Sequence, residues 1–307
     1  MGENGDTMEK HALPIREFAP AKVNLYLHVV GWREDGYHLL DSLVVFAGVG
    51  DTVTLSPAAG VPLRLSGPFG PLLAEDPSEN IVLKTVRLLA DAVGRTPDVA
   101  ITLDKRLPVA AGLGGGSADA AAILRGLIRL WQVELSPERL VALALALGAD
   151  VPVCLYGAPA RVSGIGEEIE PAPGLPAAWL LLVNPLRPLA TAAVFKARTE
   201  GAGSAASPLS VASPMTEAPE HTTAFAQALA SRCNDLQDPA RSLLPEIGAV
   251  LEALEAVPGC LLARMSGSGA TCFGLFADGT AARAAARALV ADRPAWWSQA
   301  APLLPPT

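Results

Sequence analysis

Basic residues, cysteine and long hydrophobic runs are all scarce in this chain. Its 307 residues include 23 Lys and Arg against 31 Asp and Glu, a net charge of −8. A general phosphate-backbone binder carries a basic face or stripe, so no nucleic-acid partner is expected, although a local anion site stays open. The four cysteines, Cys154, Cys233, Cys260 and Cys272, form no Cys-x-x-Cys pair and sit in apolar or loop contexts. Neither a zinc site nor a disulfide framework is indicated, and reduced, cytoplasmic thiols are the expectation. Met1 to Lys10 lacks the apolar stretch of a secretory signal, and Asp6 breaks the myristoylation pattern. The longest apolar runs, Leu140 to Ala149 and Pro176 to Val183, fall short of the roughly 20 residues that span a bilayer. No membrane association is expected. There is no internal repeat, and with half the residues hydrophobic there is ample material for one large or two medium domains.

What the chain has is Pro108 to Ala122, Pro-Val-Ala-Ala-Gly-Leu-Gly-Gly-Gly-Ser-Ala-Asp-Ala-Ala-Ala, a glycine cluster running into an alanine-rich helix start. Glycine lets the main chain approach an anion and adopt positive φ, while the free N–H groups and partial positive charge of the helix N-terminus face phosphate oxygens. A nucleotide is the ligand this suggests. The Walker lysine is missing, because Ser117 and Ala118 follow Gly116. A dinucleotide fingerprint would need glycine at Ser117, and the acids about 20 residues on, Glu134 and Glu138, lie in a helical region.

Ala21 to Val29 alternates, with Ala21, Val23, Leu25, Leu27 and Val29 on one face and Lys22, Asn24, Tyr26 and His28 on the other, which predicts a half-buried strand with an available polar face. Further strands are predicted at Leu39 to Phe46, Thr52 to Leu55, Val99 to Leu103 and Ala178 to Val183, and helices at Asn80 to Ala92 and Ser117 to Trp131. Ser136-Pro137-Glu138 opens another helix, ending at Gly148. Cys260 to Met265 and Thr271 to Phe276 flank a hairpin-like turn at Ser266-Gly267-Ser268-Gly269-Ala270, followed by a helix from Thr280 to Ala291. The composition changes near Ile169, placing domains at 1–168 and 169–307. Within the second, 199–223 is rich in Ala, Ser, Pro and Gly and reads as a mobile loop; the tail from Pro302 reads as frayed. Strands and helices with few regular βαβ units favour an α+β class.

Ala19-Pro20-Ala21-Lys22-Val23-Asn24-Leu25, Pro108 to Ala122 and Arg264 to Ala270, in that order and spacing, resemble the three signature motifs of the GHMP kinases. Asp35-Gly36-Tyr37-His38, Gly148-Ala149-Asp150-Val151-Pro152-Val153 and Thr191 to Lys196 are similar to the branch of that family acting on a cytidyl diphosphate of methylerythritol in the non-mevalonate route to isoprenoids. The likeness extends over most of the chain. It implies an N-terminal domain like ribosomal protein S5 domain 2, a ferredoxin-like C-terminal domain and an active site between them, where the γ-phosphoryl group of ATP moves, with Mg²⁺, to the acceptor's 2-hydroxyl.

The same resemblance implies a base and partner in Asp150 and Lys22, a combination suited to accepting a hydroxyl proton beside a transferring phosphoryl group. It implies nucleotide binding by Pro108, Val109, Ala110, Ala111, Gly112, Leu113, Gly114, Gly115, Gly116, Ser117 and Ala118. Tyr37 offers a stacking face and His38 a ring donor or acceptor for a cytosine edge, and the resemblance adds Asn24, Thr191 and Phe195 to the substrate site. Asp150 and Ser117 also read as helix N-caps, Asp119 as a surface acid compensating the helix dipole, and His28 as structural. Metal ligands and oligomeric state stay unassigned. A straight hairpin turning at Asp35-Gly36 would put His38 roughly 30 Å from Lys22 at strand rise, which predicts that 31–37 folds back toward the site. A GHMP kinase acting on mevalonate, homoserine or a sugar, and a non-catalytic nucleotide sensor, are the alternatives.

Overall fold

The computed structural model describes residues 13–33, 38–73, 80–200 and 214–306. In chain order the elements are β1 (Ile15–Trp32), β2 (His38–Ser56), β3 (Leu63–Ser66), α1 (Ile81–Val93), β4 (Ala100–Asp104), α2 (Gly115–Trp131), α3 (Pro137–Leu147), α4 (Val151–Tyr156), β5 (Ala160–Gly164) and β6 (Glu168–Pro171). The remainder is β7 (Trp179–Asn184), α5 (Thr191–Glu200), α6 (Thr222–Ala230), α7 (Gln237–Leu243), α8 (Glu246–Ala256), β8 (Leu262–Met265), β9 (Cys272–Phe276), α9 (Gly279–Asp292) and β10 (Trp297–Pro302).

The first sheet has six strands, in the order β3-β4-β2-β5-β6 with β1 also on β2. The two strand stretches read as separate at 39–46 and 52–55 are one continuous β2. Along one edge it pairs with β1 from Ser56's neighbour Leu55 to His38; its other edge is shared by β5, at Leu40 to Val44, and β4, at Thr52 to Ser56. Helix α2 packs across this sheet. Ala118, Ala120, Ala121 and Ala122 are all buried, and their small side chains let the helix lie close to β1 and α1. Asn80 caps α1 by accepting the Val82 N–H at 2.9 Å, and Ser136 caps α3 by accepting that of Arg139 at 3.3 Å.

The second sheet is antiparallel in the order β10-β7-β9-β8. With helices between β7 and β8 and between β9 and β10, this is the β-α-β-β-α-β ferredoxin-like arrangement. The change of sheet falls between Pro171 and Trp179, because β6 still pairs with β5; composition had put it at 168/169. A shared core joins the sheets, with Val23, Leu25 and Val45 of the first packed with Leu180, Leu182, Phe273 and Phe225.

Several local expectations are corrected. β1 is buried on both faces from Ala21 to Val29, and register shifts at Pro20/Ala21, Asn24/Tyr26 and Val29/Gly31 break its alternation, so Tyr26 turns into the core. Such bulges add a residue and re-aim the side chains beyond it. Gly31 and Trp32 pair with Leu39 and His38, so the chain does not fold back at Gly31; 34–37, including Tyr37, lie outside the described residues. The 199–223 segment has helical ends, Thr199 and Glu200 closing α5 and Thr222 and Thr223 opening α6, and 201–213 lie outside the description. The tail is tied down through Leu304: the Leu303 N–H reaches Ala178 O and the Leu304 N–H reaches Phe46 O, at 2.9 and 2.8 Å. Among the described residues no helix is long and apolar enough to cross a membrane.

Candidate active site

The glycine segment leaves β4 and enters α2 through three consecutive constraints. Ala110, Gly112 and Gly114 all have positive φ, at 51°, 75° and 59°. At Gly112 a side chain would meet Ser266 O at 2.5 Å and Gly269 O at 2.7 Å, so the turn between β8 and β9 rests directly on this loop. Ser266 fixes that contact, its hydroxyl donating to Gly112 O at 2.9 Å and accepting the Asn24 N–H at 3.1 Å. Gly114 is the N-cap of α2, which starts two residues earlier than predicted; Ser117 is therefore its third residue rather than its cap. The Ala118 N–H closes on Gly114 O at 2.8 Å, so the amides of Gly115, Gly116 and Ser117 are those the helix leaves without an internal acceptor. All three residues line the cavity, at the helix end where an anion site forms.

That cavity has a volume of about 1120 Å³, at or above the roughly 300–1,000 Å³ usual for one ligand. It gathers Lys22, Asn24, His38, Pro108 to Gly112, Gly114 to Ser117, Asp150, Thr191 and Phe195. Leu113 and Ala118 do not line it. Both are in the core, and Leu113 contributes its carbonyl, which accepts the Lys22 N–H at 2.9 Å. The distance between Lys22 and His38 is bridged by the cavity itself, which runs along β1 and β2 past Leu27, Leu40, Ser42 and Val44.

Lys22 Nζ donates to Asp150 Oδ2 at 2.9 Å. The lysine is 4% exposed and the aspartate 46%, so a buried ammonium presents a carboxylate that solvent or ligand can reach. Asp150 is the N-cap residue of α4 but makes no side-chain cap bond, and its carboxylate is turned to Lys22 instead. Asn24 donates to Ser42 Oγ at 2.7 Å, while its Oδ1 is buried without a hydrogen-bond partner among the described residues. An orphan buried acceptor on a cavity wall is a group waiting for a donor. At the far end the His38 and Phe195 rings lie 4.6 Å apart, tilted by 36°, and Thr191 Oγ1 meets Ser268 Oγ at 2.8 Å. Burial, then Arg198, lowers the His38 pKa below its ordinary value.

Sequence reasoning missed the cavity floor. Lys105 Nζ donates to Asp51 Oδ2 at 2.5 Å and to Asp119 Oδ2 at 2.6 Å, and all three are buried. Asp51 Oδ1 also accepts the Arg106 and Leu107 N–H groups at 2.5 and 2.9 Å, which fixes the chain just before the glycine loop. Asp119 is thus no surface acid. Burial pushes its carboxyl up, Lys105 opposes that and Asp51 adds to it. Burial disfavours the Lys105 charge, yet Asp119 and Asp51 outweigh it and its pKa is raised. No spacing rule joins positions 51, 105 and 119.

Residues 80–158 match the model for the GHMP kinases N terminal domain, and 220–294 that for GHMP kinases C terminal. The chain belongs to the GHMP kinase family. It is 59% identical over 286 residues to the 4-diphosphocytidyl-2-C-methyl-D-erythritol kinase of Paramagnetospirillum magneticum, covering 93% of this chain and 97% of that one. To the enzyme of that name from Rhodospirillum rubrum it is 55% identical, covering 92% and 91%. A crystal structure of a 4-(cytidine 5'-diphospho)-2C-methyl-D-erythritol kinase superposes with a TM-score of 0.75 at 34% identity, over 94% of this chain and 99% of that one. A homoserine kinase from Cytophaga hutchinsonii, 19% identical over 99% and 97% of the two chains, shares the fold with a TM-score of 0.71.

Proposed function

We propose that the protein phosphorylates the 2-hydroxyl of 4-diphosphocytidyl-2-C-methyl-D-erythritol, with ATP as donor, in the non-mevalonate synthesis of isoprenoid precursors. The observation that carries the reaction is the Lys22–Asp150 pair at 2.9 Å on the wall of the cavity that the glycine loop also lines. Asp150 accepts the hydroxyl proton as the new P–O bond forms. Lys22 orients the carboxylate by occupying Oδ2 and offsets charge on the transferring group. The amides of Gly115 to Ser117 and the α2 N-terminus hold phosphate, beside a loop that Gly112 seats on Ser266 and Gly269 and Gly114 seats on Lys22.

Mg²⁺ neutralises phosphate charge in transfers of this kind, and the residues present fit it. Ser117 and Asp119 would hold the ion, since both line the cavity and Asp119 Oδ1 is a buried carboxylate oxygen with no hydrogen-bond partner among the described residues. Its hard oxygen donors are of the type Mg²⁺ takes. Asn24 Oδ1 is suited to a hydroxyl of the acceptor, and the His38–Phe195 pair to a flat base. Thr191 opens α5, the helix that also carries Phe195. On this reading 1–171 forms the nucleotide-binding domain and the rest the substrate side, and the ligands are small molecules in solution.

The test is incubation of the purified protein with ATP, Mg²⁺ and the cytidyl substrate, with mevalonate and homoserine in parallel, following ADP and phosphorylated product by mass. Product from the cytidyl substrate alone is expected. ADP formation with another acceptor would keep the fold and discard the cytosine end, and no turnover with any acceptor would favour a non-catalytic nucleotide sensor.

A further inference from the structure

Outside the cavity, His28, Cys233 and Asp235 bring one nitrogen, one sulfur and one oxygen together. Cys233 Sγ lies 3.6 Å from His28 Nδ1 and 3.1 Å from Asp235 Oδ1, and His28 Nδ1 lies 3.6 Å from the same Oδ1. A zinc ion with bonds of about 2.3 Å to sulfur and 2.0–2.2 Å to nitrogen and oxygen has tetrahedral edges of roughly 3.3–3.6 Å. The three atoms therefore form a triangle close to one face of that tetrahedron. His28 turns Nε2 into the core, where it has no hydrogen-bond partner among the described residues, so Nδ1 is the nitrogen the ring presents.

The backbone holds this triangle from both sides. The Leu27 N–H donates to Cys233 O at 3.0 Å and the Asp235 N–H to Leu27 O at 2.9 Å, so the segment carrying the thiol and carboxylate is stitched to the strand carrying the imidazole. Asp235 Oδ2 is separately engaged, accepting the Val29 N–H at 2.7 Å with Arg198 at 3.7 Å. These contacts orient the carboxylate so that Oδ1 faces the other two donors, as outer contacts of metal ligands do. His28 is buried and Cys233 exposed, so solvent reaches the cluster from the thiol side.

We infer that His28, Cys233 and Asp235 form a binding site for a borderline-soft divalent cation of the zinc class, one that the kinase reaction does not use. A mixed sulfur, nitrogen and oxygen set selects zinc or cobalt over Mg²⁺, which takes oxygen ligands. On binding, the thiol gives its proton to solvent and coordinates as thiolate. Leu27 and Leu236, next to these residues in sequence, line the large cavity, so the ion sits one residue behind its wall.

The probe is Co²⁺, titrated into the purified full-length protein in excess Mg²⁺, following the thiolate-to-cobalt charge-transfer absorption. One equivalent is expected to saturate the band, and Zn²⁺ to abolish it. Cys233→Ser, at an exposed position, removes the band and weakens Zn²⁺ binding roughly tenfold or more, with kinase turnover in Mg²⁺ unchanged. His28→Gln weakens binding likewise with the helical circular dichroism intact, and Cys260→Ser leaves the titration as it was. Absence of the band, or a band that survives Cys233→Ser, overturns the site.

Discussion

Lys22 and Lys105 are both almost fully buried and both reach the same cavity, yet their partners differ. Lys22 has one carboxylate, Asp150, which is 46% exposed. Lys105 has two, Asp51 and Asp119, sealed at 0% and 2%. A half-exposed acid on a buried ammonium is free to meet a ligand, whereas an ammonium held between two buried acids spends two of its three donors on them. The first arrangement suits proton transfer. The second suits holding the loop, because Asp51 also grips the backbone of Arg106 and Leu107. Burial of a charge alone therefore does not mark the base; the exposure of its partner does.

The comparison breaks most sharply at Asp150. Asp150→Asn is expected to lower turnover by roughly 10²- to 10⁴-fold while ATP still binds. Near-normal turnover would end the assignment of the base. Lys105→Met is expected to act first on stability. It strands two buried carboxylates and should cost about 3–5 kcal/mol of stability, read as a large fall in the urea midpoint; a small fall would mean that the floor is not the clamp described.

A milder effect concerns the far end of the cavity. Burial, then Arg198, lowers the His38 pKa, so the ring stays neutral from about pH 7 to 8, and the KM for the cytidyl substrate should be flat across that range. Because the folded value lies below the unfolded one, stability is lost as pH falls through the unfolded value toward the folded one, and binding is lost only as pH falls through the folded one. A KM that changes between pH 7 and 8 would remove His38 from the site. Smallest of all is Ser136→Ala, far from both lysines, which loses the α3 cap at a cost of about 1 kcal/mol and should leave kcat and KM untouched.

How much of this was legible in the chain depended on whether the signal was local. The α3 cap at Ser136, the start of α1 at Asn80, the glycine loop, and the β8–β9 turn are written in neighbouring residues and were read to within a residue or two. Lys22 and Asp150 were reached through resemblance, 128 positions apart. The alternation of β1 was read straight through Leu25, although the bulge between Asn24 and Tyr26 reverses which face follows. Asp119 looked like a surface acid because the first turn of a helix ordinarily meets water, and only Lys105, arriving from the preceding strand, makes its burial tolerable. The tail beyond Pro302 carries no pattern of its own, and its anchoring to Phe46 and Ala178 exists only once both sheets are assembled.

Gly112 carries a consequence for anyone reading variants of this enzyme. Its missing side chain is required by the oxygens of Ser266 and Gly269 from the other half of the chain, not by a ligand. A substitution there would present as poor nucleotide affinity in an assay, yet the primary injury would be to the seam between halves. Its genetic remedy would accordingly arise in 266–270, more than 150 positions downstream of the lesion.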